Sequence, residues 1–139
     1  MNDKLFTNSV TINAKAAAAR QILTNPSQLL KWVPEINAVD QSRDSFTITR
    51  SQEALNQVEV ITVELTESTI IYHSRQGRLN YDLVFTLLES DNHLQIQEEL
   101  IIDDSETKLP LKLLAPIAKH ALNVNLINLG RLIEGITMV

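Results

Sequence analysis

Six short runs between Glu35 and Asp103 alternate apolar and polar residues, with brief polar turns between them, and their registers can be chained together. In LNYDLVFTLLESDNHLQIQEELII, Asp91-Asn92 suits a two-residue turn because both residues tolerate φ > 0. That turn faces Ser90 with His93 and sets Leu87 opposite Ile96, Phe85 opposite Glu98, Leu83 opposite Leu100 and Tyr81 opposite Ile102. Apart from Glu98, these are the apolar faces of both strands. A turn at Gln76-Gly77 places Tyr72 opposite Tyr81. One at Glu67-Ser68 places Leu65 opposite Ile70, Val63 opposite Tyr72 and Ile61 opposite Ser74. Three hairpins then share one inner face, with Ser74 its small polar member.

The flanks read differently. Phe6, Val10 and Ile12 take even positions in a β-branched run over residues 4 to 12, with Asn8 the exception, which predicts a strand. Asn13 is positioned to cap the alanine-rich helix AKAAAARQIL. Asn25, with Pro26 behind it and Gln28 three residues on, starts a second short helix, PSQLLKWV, which Pro34 ends. One long helix follows at about 109 to 136. At about 100° per residue, Lys112, Lys119, Asn123, Gly130 and Glu134 fall on one side of it. Leu114, Ala118, Ala121, Asn125, Asn128, Leu132 and Ile136 fall on the other, so two asparagines belong to the inward stripe. Pro116 lacks an N–H and predicts a kink or a fresh start.

The 139 residues with 44% hydrophobic content suit one domain, 1–139, with a single core. A net charge of -5 without a basic run argues against nucleic acid and anionic membranes as partners. The absence of cysteine removes disulfides, thiolate metal sites and cysteine nucleophiles. MNDKLFTNSV lacks a basic start with an apolar core, and Lys112, Lys119 and His120 interrupt the most apolar C-terminal stretch. Neither a signal peptide nor a spanning helix fits, and a cytoplasmic location is the expectation.

The order strand, two short helices, six antiparallel strands and a long C-terminal helix resembles the START-like helix-grip superfamily, also called SRPBCC. VTINAKAAAARQILTNPSQLLKWVPEINAV looks like that family's first strand, apolar helix, Trp-x-Pro ending and next strand, and LINLGRLIEG is similar to its closing helix. The resemblance implies an α+β domain. In it a curved seven-stranded antiparallel sheet grips the long helix across its concave face. Between them lies an apolar cavity for lipids, polyketides or similar molecules, which in some members supports chemistry.

The candidate pocket residues follow. Asn125 and Asn128 need hydrogen bonds in protein, water or ligand, since an unpartnered buried amide costs a few kcal/mol. Ala118 and Ala121 leave room beside them, and Leu114 continues the stripe. Glu98 is forced onto the apolar face between Ile96 and Leu100, and burial would raise its pKa. It is either a proton donor or base, or a carboxylate held by an arginine, with Arg50 the candidate and Glu59 nearby. Tyr72 and Tyr81 offer interior hydroxyls, and Trp32 packs the second short helix at the mouth. Phe46, Ile48, Val63, Leu83 and Phe85 supply apolar wall. His73, His93 and His120 lack the spacing of a metal site, and no cofactor motif is found. Three readings stay open. They are a carrier or sensor of a small apolar molecule, a cyclase- or dehydratase-type enzyme using Glu98, and a protein-interaction domain with a collapsed cavity, as monomer or homodimer.

Overall fold

The structure is a computed structural model that describes residues 2–51, 54–103 and 109–137. Strand β1 (Asn2–Ile12) leads into helix α1 (Ala16–Leu23) and a 3-10 turn (Pro26–Gln28) that runs into α2 (Leu29–Trp32). Six strands follow: β2 (Ile36–Ser42), β3 (Ser45–Arg50), β4 (Val58–Leu65), β5 (Thr69–Arg75), β6 (Tyr81–Ser90) and β7 (His93–Asp103). Helix α3 (Leu111–Thr137) closes the chain. The strands form one seven-stranded antiparallel sheet in the order β1-β7-β6-β5-β4-β3-β2. Because β1 and β2 stand at opposite edges, α1 and α2 have to carry the chain across the whole width of the sheet.

Two of the three expected hairpins have the expected register. Ser90 faces His93, with Asp91 at φ 42, and Leu65 faces Ile70, Val63 faces Tyr72 and Ile61 faces Ser74. The hairpin between β5 and β6 is wider than a Gln76-Gly77 turn. Tyr81 pairs with Ser74, and Tyr72 pairs with Leu83. The longer connection is held from outside by Asn56, whose side chain accepts from Leu79 N–H at 2.8 Å and donates to Leu79 C=O at 2.7 Å. Gly77 lies under that amide, where a Cβ would come within 2.6 Å of Asn56 Nδ2. The displacement is two residues, so every side chain keeps its face.

The helices are seated by contacts from distant strands. Helix α1 starts from Lys15 and not from a side-chain cap at Asn13; Ala16 N–H donates to Glu89 Oε1 at 2.7 Å, so β6 supplies the anion for the helix start. Asn13 N–H donates instead to Glu134 Oε2 of α3 at 3.0 Å. Asn25 does cap the next turn, accepting from Ser27 N–H at 3.1 Å, and the extended residue Val33 before Pro34 ends α2.

Helix α3 runs through Pro116 as one helix, so of the kink or fresh start expected there the fresh start does not occur. Its buried stripe is Leu126, Leu129 and Ile133, flanked by Asn125 and Gly130. This stripe is rotated by about one residue from the sequence-based one. Gly130, expected outside, sits against β1, where a Cβ would meet Ile12 Cγ2 at 2.9 Å. Ala121 and Ile136, expected inside, are exposed. The cause is the lean of the helix toward β1, its nearest strand, with smaller contacts to α1 and α2. The lean brings Asn128 against the end of α2, on the flank that Leu114, Ala118 and Asn125 share with it by helical spacing. No helix of the described residues is long and apolar enough to cross a membrane.

Candidate functional site

Alternation along β3 to β6 gives the inner face an apolar wall, in which Phe46, Ile48, Leu83 and Phe85 are buried and Val63 is half-buried. Phe85 is its centre. Trp32 meets its ring edge-on at 6.2 Å and Tyr72 at 5.3 Å. The Tyr72 hydroxyl donates to Leu23 C=O at 2.5 Å, so it fastens the end of α1 to the sheet; burial holds its phenol well above the ordinary value.

Two polar clusters interrupt this wall. The first spans β3, β4 and β5. Arg50 donates from Nε to Glu59 Oε1 at 2.7 Å and from Nη1 to Glu35 Oε1 at 2.5 Å, and its Nη2 lies 2.7 Å from Glu59 Oε1. Ser74 Oγ donates to Glu59 Oε2. Burial opposes the charge of Arg50, but Tyr81, Glu59 and Glu35 more than offset it and raise its pKa. Tyr81 stands beside the carboxylate, and burial of its hydroxyl, then Glu59, holds its phenol high. Arg50 is therefore the partner of Glu59 and not of Glu98. Four strand spacings separate β3 from β7, about 19 Å, beyond the reach of an arginine.

The second cluster lies on β1 and β7 under α3. Glu98 is fully buried, opposite Asn8 on one side and Phe85 on the other. Asn8 Nδ2 donates to Glu98 Oε1 at 3.4 Å and to Lys119 C=O at 3.1 Å. Lys119 Nζ donates to Thr7 C=O at 2.6 Å and to Asn8 Oδ1 at 3.1 Å, and lies over the Phe6 ring, 5.8 Å from its centroid. Burial pushes the Glu98 carboxyl up to about 8, against the opposing pull of Asn8 and Lys119. Among the described residues, Glu98 Oε2 and Trp32 Nε1 are the buried side-chain polar atoms without a hydrogen-bond partner. A cleft of about 530 Å³ opens between β1 and α3 at this cluster, lined by its Thr7, Asn8 and Lys119 together with Ser9, Pro116, His120 and Asn123. Asn8 and Lys119 did not figure among the sequence-based candidates. The signal for Asn8 was present, as the polar exception at an inward position of β1.

Asn125 is buried, and Asn128 is half-buried and donates to Trp32 C=O at 3.4 Å, tying α3 to the end of α2. Leu114 and Ala118, earlier on the same helix, are half-buried, while Ala121 faces out. His73 lies on the opposite face of the sheet, with Nδ1 2.8 Å from Asp82 and Nε2 2.8 Å from Glu64. Partial burial lowers its pKa, but the two carboxylates outweigh it and leave it raised. No cluster of three or more metal-ligating side chains occurs among the described residues.

No known family profile and no curated protein sequence matches the chain. Solved structures do. A START superfamily protein from Mycobacterium smegmatis superposes with a TM-score of 0.76 at 17% identity, over 94% of this chain and 97% of that one. A conserved protein from Geobacillus kaustophilus gives 0.70 at 14% identity, over 96% and 95%. The di-domain ARO/CYC StfQ from the steffimycin biosynthetic pathway gives 0.76 at 11% identity, over 100% of this chain and 53% of that one. The fold is thus the START-like helix-grip fold: a seven-stranded antiparallel sheet, two short helices after the first strand and a long C-terminal helix.

Proposed function

We propose that the domain binds a small, mostly apolar molecule between the inner face of the sheet and the α2-facing flank of α3, as a carrier or sensor. The observation that carries this reading is the lean of α3 toward β1. Its bulky residues, Leu126, Leu129 and Ile133, are used on the side that is packed, while Ala118 and Asn125 put small or polar side chains on the flank whose Asn128 reaches α2. Aliphatic and aromatic walls with a few polar groups are the ordinary composition of a small-molecule site. The likeness to a START superfamily protein and to an ARO/CYC protein supports the same class of function. A second reading, a cyclase- or dehydratase-type reaction, draws on Glu98, whose carboxyl near 8 is matched to proton transfer at neutral pH.

The test is uptake of the neutral fluorescent probe N-phenyl-1-naphthylamine. Ala118→Trp should fill the space and weaken uptake about tenfold or more, whereas Ile117→Trp, on the exposed face of the same helix, should leave it unchanged. Equal uptake by the two variants would remove the hollow from the reading.

A further inference from the structure

Glu98 on β7 and Trp32 on α2 are both neighbours of the Phe85 ring. Glu98 is the cross-strand partner of Phe85, which brings their Cβ atoms to about 5 Å. Trp32 stacks edge-on against the same ring. Each presents one buried polar atom that no described residue satisfies, Oε2 of Glu98 and Nε1 of Trp32. An unmet buried donor or acceptor costs about 1–3 kcal/mol, so two beside one ring form a costly pair for a structure to keep without use.

We propose that Trp32 Nε1 and Glu98 Oε2 together hold an oxygen of the bound molecule, so that the ligand is an apolar body carrying a neutral carbonyl group at the end that reaches Phe85. This assignment rests on the binding reading above and adds the chemistry of the ligand to it. An indole N–H only donates. Asn8 donates to Oε1 of Glu98, which leaves the carboxyl proton for Oε2. With its carboxyl near 8, Glu98 keeps that proton at neutral pH and is a second donor. A carbonyl oxygen has two lone pairs and accepts from both. A carboxylate ligand fits less well, because the cations near the wall are already engaged: Arg50 by Glu59 and Glu35, Lys119 by Thr7 C=O and Asn8.

The experiment compares two probes of one shape, 2-acetylnaphthalene and 2-isopropenylnaphthalene, which differ by C=O against C=CH2. Binding is read by calorimetry and by the fluorescence of Trp32, the single tryptophan of the chain. The ketone should bind about tenfold more tightly than the hydrocarbon. Glu98→Leu and Trp32→Phe should each cut that preference to about threefold or less, and Glu98→Gln, which keeps a donor, should retain most of it. A hydrocarbon that binds as well as the ketone, or a preference that survives both Glu98→Leu and Trp32→Phe, overturns the assignment and leaves the hollow standing. If Glu98→Leu does not fold, the wild-type comparison and Trp32→Phe decide alone. Failure of both probes to bind at all overturns the hollow, and the assignment with it.

Discussion

The two polar clusters of the inner face are equally deep and differ in how they are completed. Around Glu59, every strong group has an answer within reach: a guanidinium shared with Glu35, a serine hydroxyl, a tyrosine. Glu98 has one long hydrogen bond from an amide, and the nearest ammonium bonds to that amide's other end and not to the acid. A buried carboxylate persists as an anion only where a cation and donors offset the lost hydration; without them, the proton stays on. The closed cluster accordingly serves the fold, and the open one leaves Oε2 of Glu98 without a hydrogen-bond partner among the described residues.

The difference predicts opposite responses to substitution. Arg50→Met should strand Glu59 as an uncompensated buried charge and cost about 3–5 kcal/mol at neutral pH, seen by urea unfolding. A cost near zero would mean that the closed cluster is not closed. At Glu98 the sign reverses. Its folded carboxyl titrates near 8 against an ordinary value of 4.5. Between those values the unfolded chain has released a proton that the native state still holds, so this residue's contribution is complete below 4.5 and is lost as pH rises through 8. Glu98→Gln should therefore match the wild type in acid and exceed it by about 2–4 kcal/mol at higher pH. Stability curves that run parallel across that window would place Glu98 in a paired environment like that of Glu59. Ser74→Ala is the mildest case. It removes one of several donors to Glu59 and should cost about 1–2 kcal/mol, with little dependence on pH above neutrality.

Strand pairing was legible because period-2 alternation either agrees across neighbours or fails, and the hairpins around Asp91-Asn92 and Glu67-Ser68 agreed. The width of the turn after β5 was not, because it depends on Asn56, a residue 23 positions before its partner Leu79. The inward placement of Glu98 was read from β7 alone, and its partner was misassigned because Asn8 becomes its neighbour only through the pairing of β1 with β7. Helical periodicity located a stripe on α3 but not the axis of its packing, since Gly130 is readable as a point of close approach only once Ile12 is known to lie beneath it. The exposure of Ala121 follows from the same rotation.

That pairing of first strand with last has a further consequence, for the order in which the molecule assembles. The hairpins from β2 to β7 close loops of a few residues each, whereas Asn8 and Glu98 are 90 residues apart. Loop-closure entropy grows with the logarithm of length, and nonlocal contacts of this kind slow folding. The environment that keeps Glu98 protonated comes into being only when the amino-terminal strand zips onto the finished meander, so the most specialised corner of the interior depends on the slowest of its contacts.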